Sequence, residues 1–117
     1  MAQHGDKLTA GWAYIAPGGL HLSIKKRGAS LYCELDDSEP VNRHKPAVDV
    51  LFNSLLECGA KNIVAALLTG MGSDGAKGLL SIKQAGGYTI AQDEFSSVVW
   101  GMPKAAVDLG AAHEIVA

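Results

Sequence analysis

The stretch NIVAALLTGMGSDGAKGLL, residues 62–80, decides the fold. Asn62–Thr69 is an almost continuous apolar run of strand length, which is typical of a strand buried on both faces of a parallel sheet. A glycine-rich turn, Gly70–Gly78, follows, and a helical pattern continues from there to about Ala85. A strand, a glycine-rich turn and a helix in this order predict one unit of an α/β fold.

The alternation of helix and strand continues on both sides of this stretch. Downstream, Tyr88–Gln92 is a second β-rich run, Pro103 opens another helix, and a last strand is expected around Ile115. Upstream, apolar residues recur at helical spacing over Val48–Leu56. This order implies parallel pairing with right-handed crossovers, as in a doubly wound sheet. Ile63–Leu68 then reads as a central strand, yet the chain supplies neighbours only on its later side, so the sheet looks unfinished.

The first third of the chain has a different pattern. Leu20–Lys25 and Ser30–Leu35 both alternate apolar and polar residues, with Arg27-Gly28-Ala29 between them, and this predicts an antiparallel hairpin. Trp12–Ala16 predicts one more short strand, stopped by the turn signal Pro17-Gly18-Gly19. The fold class is therefore α/β: part of a doubly wound, mainly parallel sheet with an N-terminal antiparallel hairpin.

Composition limits the function. A chain of 117 residues with 48% hydrophobic content fits one small domain with a packed core. The net charge is −2 and the longest basic run is Lys25-Lys26-Arg27, so no basic face for nucleic acid is expected. No apolar stretch is long enough for membrane insertion, and MAQHGDKL is not a secretory signal. Cys33 and Cys58 lack metal-type spacing and are expected to be free thiols in the cytoplasm, and neither a metal nor a cofactor is predicted.

Asp74, in the glycine-rich turn, is open to three interpretations. Ligands of open α/β sheets bind outside the carboxyl ends of the strands, which is where this turn is expected. The carboxylate could simply cap the following helix. The pattern Gly70-x-Gly72-x-x-Gly75 could instead bind a dinucleotide, although Asp74 would bring negative charge toward the pyrophosphate and the motif begins past the midpoint of the chain. In the third interpretation, Asp74 orients the imidazole of an active-site histidine.

Two further loops carry polar side chains. Residues 91–103 contain Ser96 and Ser97, but no GxSxG elbow surrounds these serines, so they are expected to cap a short turn rather than act as nucleophiles. Residues 40–46 lead into the first helix and contain His44, which is expected to bind or brace rather than to serve as a general base.

Four segments, taken together, closely resemble the catalytic domain of CheB, the family of chemotaxis protein-glutamate methylesterases and glutamine deamidases. They are AYIAPGGLHL (13–22), PVNRHKPAVDVLF (40–52), LLTGMGSDGAKGLL (67–80) and TIAQDEFSSVVWGMPKAA (89–106). Four long motifs in the right order make the resemblance specific, and it runs over nearly the whole chain. It implies that residues 1–117 are the C-terminal portion of such a catalytic domain, without the receiver domain that the family usually carries.

The resemblance also implies a catalytic triad of serine, histidine and aspartate, and it assigns the aspartate to Asp74. Met71 and Gly72 are expected to line the oxyanion pocket. The family's serine lies in a GASTGG-like turn and its histidine in a QHMP-like turn, and neither motif occurs here. Gln3-His4-Gly5 is only superficially similar to the QHMP-like turn. The residues that follow it match a segment that lies far downstream of the catalytic histidine in the family. Loops on the substrate side are expected to contain Arg43, His44, Asp93 and Glu94.

The function implied is hydrolysis of glutamate γ-methyl esters in chemoreceptors, with this chain supplying only the aspartate and inactive alone. The alternative is a non-catalytic module that binds methyl-accepting chemoreceptors or complements the missing N-terminal part of the catalytic domain. An unfinished sheet should expose an apolar face, so homodimerisation is also expected.

Overall fold

The structure, a computed structural model that describes all residues 1–117, contains five strands and three helices. In chain order they are β1 (His21–Arg27), β2 (Ser30–Asp36), α1 (Val48–Glu57), β3 (Val64–Leu67), α2 (Ala76–Gln84), β4 (Tyr88–Gln92), α3 (Met102–Asp108) and β5 (Glu114–Val116). The chain divides into two units, Met1–Gly59 and Ala60–Ala117. None of the three helices has the length and apolar character that a membrane span requires.

The first unit is built on the predicted hairpin, which is confirmed. Strands β1 and β2 pair antiparallel with Ile24 opposite Cys33, and Gly28 takes a φ of 61° in the connecting turn. Both strands extend slightly further than the alternation indicated. The strand expected at Trp12–Ala16 is wrong: this segment has no regular structure and Trp12 is 75% exposed. An apolar run gains strand pairing only where a partner edge is available.

Helix α1 covers the apolar side of the hairpin. Ala2, Leu22, Ile24 and Cys33 form the buried cluster, and Leu51 of α1 packs against it. Ser54, on the same helix, is 4% exposed. Its hydroxyl accepts a hydrogen bond from the Ile24 N–H at 2.9 Å and donates to its own helix at the Leu51 carbonyl. The helix is therefore tied to β1 by a buried polar contact as well as by apolar packing.

The second unit contains the predicted parallel sheet, with strand order β3-β4-β5. Ala66 of β3 pairs with Ile90 of β4, and Ile90 pairs with Glu114 of β5. Helix α2 connects β3 to β4 and buries Leu79 and Ile82 completely. The helix-strand alternation and the crossover connections were thus predicted correctly.

Strand β3 differs from the prediction in its burial. It alternates between exposed and buried residues, with Val64 68% exposed and Leu67 3% exposed, so it is not buried on both faces. Its one paired neighbour among these residues is β4, on its later side, as the sequence predicted for this chain. An apolar run predicts that a strand forms, but it does not predict how much of that strand is covered.

Candidate active site

The Asp74 loop, residues 68–75, leaves the carboxyl end of β3 and leads into α2. Gly72 and Gly75 adopt φ values of 91° and 90°, which side chains with a Cβ rarely adopt, so the loop requires glycine at both positions. Asp74 lies between them and is only 4% exposed. A carboxylate held in this way, on a short loop at the ligand-binding edge of a parallel sheet, is suited to accept a hydrogen bond from an imidazole N–H.

Asp74 does not occupy the N-cap position that one interpretation gave it. Helix α2 starts at Ala76, and its N-cap is Gly75 in the left-handed region. Asp74 therefore lies one residue before the cap. Its burial at that point requires satisfied polar contacts.

The loop after β4, residues 93–101 and here called the Phe95 loop, is bound to the Asp74 loop through its backbone. The Gly70 N–H donates to the Val99 carbonyl at 2.9 Å. The Gly70 carbonyl accepts hydrogen bonds from the N–H groups of Gly101, at 3.0 Å, and Met102, at 2.8 Å. Gly70 and Trp100 also form an isolated parallel bridge. The two loops are thus joined into one hydrogen-bonded edge.

Gly101 lets the two loops approach closely. A Cβ at this position would lie 2.7 Å from the Gly70 carbonyl oxygen, 2.9 Å from the Gly72 nitrogen and 3.1 Å from the Met71 Cα. All three atoms belong to the backbone, so no flexible side chain could give way. The path of the Asp74 loop therefore depends on a glycine in the neighbouring loop.

Large apolar side chains stand exposed on these two loops. Met71 of the Asp74 loop is 77% exposed, and Phe95 and Val98 of the Phe95 loop are 99% and 90% exposed. Exposed apolar side chains of this size on two joined loops make this edge a candidate binding surface. Gly72, the other residue predicted for the oxyanion pocket, is exposed in the same loop.

Asp93 and Glu94 begin the Phe95 loop and differ in their surroundings. Asp93 Oδ1 accepts hydrogen bonds from the Ser96 N–H at 2.8 Å and from the Ser96 hydroxyl at 2.6 Å, and these bonds lower the pKa of the Asp93 carboxyl. Ser97 donates its hydroxyl to the Asp93 carbonyl at 2.7 Å. Both serines thus brace the turn, as expected, while Glu94 is exposed.

Arg43 and His44 belong to the first unit. Arg43 has a φ of 67°, and His44 exchanges backbone hydrogen bonds with Val41 in a tight turn. Both side chains are exposed. Their assignment to the substrate side, like that of Asp93 and Glu94, stays a prediction.

Three residues that organise this edge were not singled out from the sequence: Thr69, Gln92 and Gly101. Thr69 and Gln92 link the loops through side-chain hydrogen bonds, and Gly101 permits their close approach. A glutamine at the end of a strand has no distinctive local pattern, because its two partners lie in other segments. Only Gly101, two residues before the helix-opening Pro103, was a visible signal in the sequence.

A parallel sheet with a buried aspartate on a glycine-rich loop at its carboxyl edge is typical of doubly wound α/β proteins, a class in which ligands bind at that edge. The CheB methylesterase family model matches residues 1–117. The protein-glutamate methylesterase/protein-glutamine glutaminase 2 of Cupriavidus pinatubonensis is 51% identical to this chain. The protein-glutamate methylesterase/protein-glutamine glutaminase 1 of Xanthomonas campestris pv. campestris is 58% identical. Each match covers 98% of this chain and 32% of the relative.

A solved structure is similar as well. The crystal structure of the Thermotoga maritima CheB methylesterase catalytic domain is 38% identical, with a TM-score of 0.93, and the match covers 98% of this chain and 61% of that one. The chain belongs to the CheB methylesterase family. It spans about a third of the length of the curated relatives. Membership of this family leaves the dinucleotide interpretation without support.

Proposed function

We propose that this chain provides the aspartate of a protein-glutamate methylesterase/glutaminase active site, and that the serine and the histidine come from a part of the enzyme outside these residues. The observation that carries the proposal is Asp74 itself, 4% exposed on a glycine-rich loop at the carboxyl edge of a parallel sheet. The names of the relatives supply the reaction, and the lack of GASTGG-like and QHMP-like motifs in the sequence supports the division of the triad.

In the proposed mechanism the reaction is nucleophilic acyl transfer. The serine hydroxyl attacks the γ-carbonyl carbon of a glutamate methyl ester, and the histidine takes the serine proton. The tetrahedral intermediate collapses with loss of methanol, which receives that proton, and water then hydrolyses the acyl-enzyme. With glutamine as substrate, ammonia leaves in place of methanol.

The contribution of Asp74 is to hold the imidazole. Its carboxylate accepts the N–H of the ring nitrogen that faces away from the serine, which fixes the productive tautomer and stabilises the imidazolium. Asp74 supplies neither the nucleophile nor the general base, so we expect no hydrolysis by these residues alone. Met71 and Gly72, next to it in the loop, are proposed to line the oxyanion pocket.

The free edge of β3 supports the view that more protein packs here. Val64, the first residue of that strand, and Leu68, the residue after its end, are 68% and 61% exposed, and β3 has a hydrogen-bonded partner on one side only. An open apolar edge strand is a template for pairing with further chain. The part of the relatives that this chain does not span is the proposed occupant, and a second copy forming a homodimer is the alternative outcome.

Methanol release from methylated chemoreceptor tests the proposal. We would compare this chain alone with a chimera in which it replaces the matching segment of the Xanthomonas campestris relative. The chain alone should release no methanol and the chimera should be active. Asp74→Asn in the chimera should lower kcat by about four orders of magnitude, the effect of this change in serine proteases.

Asp108→Asn is the matched control, because Asp108 is an exposed aspartate of the same unit paired only with Lys104. It should leave kcat unchanged. Methanol release by the chain alone, or a chimera whose kcat is insensitive to Asp74→Asn, would refute the proposal. Light scattering on the chain alone separates the two occupants of the β3 edge, since a homodimer doubles the mass.

A receptor-binding module without catalysis is the second candidate, and the exposure of Phe95 and Val98 favours it. These side chains could hold a chemoreceptor helix whether or not the triad is complete. A pull-down with receptor cytoplasmic fragments should then retain this chain, and a double change to serine at both positions should abolish retention. A cytoplasmic location belongs to both candidates and stays a prediction.

A further inference from the structure

The side chain of Gln92, the last residue of β4, connects the ends of two strands. Its Oε1 accepts a hydrogen bond from the backbone N–H of Thr69, just after β3, at 2.6 Å. Its Nε2 donates to the Ser96 carbonyl at 3.0 Å and to the Ser96 hydroxyl at 3.1 Å. Thr69 N–H can only donate and the Ser96 carbonyl can only accept, so one orientation of the amide satisfies both.

Thr69 adds a second connection between the same loops. Its hydroxyl donates to the Val99 carbonyl at 3.1 Å and accepts from the Val99 N–H at 2.9 Å. Ser96, on the other side of Gln92, donates its hydroxyl to Asp93. The Thr69 N–H, the Gln92 amide, the Ser96 hydroxyl and the Asp93 carboxylate therefore form a continuous chain of hydrogen bonds.

This chain of bonds begins one residue before the glycine whose backbone carries the contacts between the loops. Gly70 bonds to Val99, Gly101 and Met102, and the loop from Gly70 to Gly75 contains Asp74. Gln92 is half-buried and lies at the centre of the edge, with the Trp100 indole N–H donating to its backbone carbonyl at 3.0 Å. The position of the Asp74 loop is thus set from one side chain as well as from the backbone.

We propose that Gln92 is a positioning residue for the reaction: its amide bridges Thr69 to Ser96 and so fixes the Asp74 loop where Asp74 can orient the histidine. The inference rests on the proposed function. Gln92 touches neither substrate nor histidine, and its effect passes through the loop. Both halves of the amide are needed, because an ionised carboxylate could accept from Thr69 but would repel the Ser96 carbonyl.

The test uses the chimera described above and two changes, Gln92→Met, which keeps the length of the side chain, and Gln92→Glu, which keeps its shape. Both should lower kcat at neutral pH by about 10- to 100-fold with little change in KM, since small misplacements of catalytic groups have effects of this order. The matched control is Gln84→Glu, at the exposed end of α2, which should leave kcat unchanged.

A pH series separates positioning from mere support of the fold. A protonated carboxyl regains an O–H donor for Ser96, so the ratio of the Gln92→Glu kcat to the unsubstituted kcat at the same pH should rise as the pH falls. Taking the ratio at each pH removes the titration of the histidine. Because an unfavourable carboxylate would also make the folded fraction depend on pH, circular dichroism at each pH measures that fraction, and the ratio is corrected for it.

Nuclear magnetic resonance of the 117-residue chain provides a readout that needs no activity. In Gln92→Glu, the Thr69 amide and Trp100 indole N–H resonances should follow the titration of the new carboxyl in addition to that of the neighbouring Asp93, and in the unsubstituted chain they should follow Asp93 alone. Thr69→Val removes the hydroxyl that bonds to Val99 but keeps the shape of the side chain, and it should lower kcat in the chimera. Thr69→Ser retains the hydroxyl and should leave kcat unchanged.

The outcomes distinguish this inference from the proposed function. A chimera that is active and sensitive to Asp74→Asn, but has unchanged kcat with Gln92→Met, overturns the role of Gln92 alone. A flat pH ratio for Gln92→Glu does the same. A chimera insensitive to Asp74→Asn overturns the proposed function and the positioning role with it, while the resonance titration still decides whether the bridge exists.

Discussion

The two units of this chain are built on opposite strand arrangements. In the first, β1 and β2 are neighbours in sequence, paired antiparallel over seven residue pairs and joined by a two-residue turn, Gly28-Ala29. In the second, β3, β4 and β5 are parallel, and each returns to its neighbour only after a helix. Antiparallel hairpins close locally, whereas parallel strands need crossovers and place their carboxyl ends at one edge.

This difference decides where the polar chemistry lies. The buried polar groups of the first unit support the fold: Ser54 ties α1 to β1, and His21 accepts a hydrogen bond from the Ala47 N–H at its Nδ1, which leaves Nε2–H to donate to the Glu39 carbonyl. The buried carboxylate of the second unit, Asp74, lies instead in a loop at the edge of the sheet. The candidate site follows from parallel topology, and the hairpin has no equivalent edge.

The largest expected effect comes from truncating each core. Leu79 of α2 is fully buried and Leu22 of β1 is 4% exposed. Leu79→Ala and Leu22→Ala should each lower the free energy of unfolding by about 2–5 kcal/mol, through lost burial and the cavity left behind. Hydrogen exchange should show lower protection of the Ala65 and Ala91 amides in Leu79→Ala, and of the Ile24 and Cys33 amides in Leu22→Ala. Equal losses of protection in both units, from either substitution, would contradict the comparison.

A smaller effect is expected at the contact between the two loops. Gly101→Ala places a Cβ within 3 Å of the backbone of Gly70 and Gly72, and overpacking of this kind costs about 1–3 kcal/mol. Gly18→Ala is the control, because a Cβ there meets nothing within 4 Å and the φ is ordinary. Thermal unfolding should show a lower Tm for Gly101→Ala and an unchanged Tm for Gly18→Ala. A Gly101→Ala chain with an unchanged Tm would show that the loops are not held together by this approach.

The smallest effect concerns two similar motifs, one in each unit. Ser38 donates its N–H and hydroxyl to Asp36, and Ser96 does the same to Asp93, so the pKa of each carboxyl lies below its usual value. Carbon-detected titration should show each pKa return toward that value in Ser38→Ala and Ser96→Ala.

The sign of the linked stability follows from the depressed pKa. A carboxyl whose pKa is lower in the folded chain stabilises it at pH values above the unfolded pKa, and this stabilisation disappears as the pH falls through the folded pKa. The alanine variants should therefore lose less stability on acidification than the unsubstituted chain. Since both carboxyls are exposed, the difference should be small, and a shift confined to one unit would sharpen the contrast between them.

Much of the fold could be predicted because hydrophobic period and turn residues are local properties. Tyr88–Gln92 is a strand with the predicted bounds, and α1 lies where helical spacing placed it. Helix α2 was also predicted, but it begins at Ala76, inside the stretch that was predicted as a turn. The failures were the strand at Trp12–Ala16 and the burial of β3 on both faces. Both depend on which other segments pack against the run, which an apolar run does not show.

The candidate site divides in the same way. The glycine spacing and Asp74 were visible in the sequence, since a tight strand-to-helix turn needs residues that accept positive φ and a carboxylate is recognisable by type. The sequence by itself determined the α/β class, the hairpin, and the loop that holds the aspartate. Only the tertiary structure decided that Gln92 bridges Thr69 to Ser96 and that Gly101 packs against Gly70, because these partners lie far apart along the chain and meet only when parallel strands align their ends.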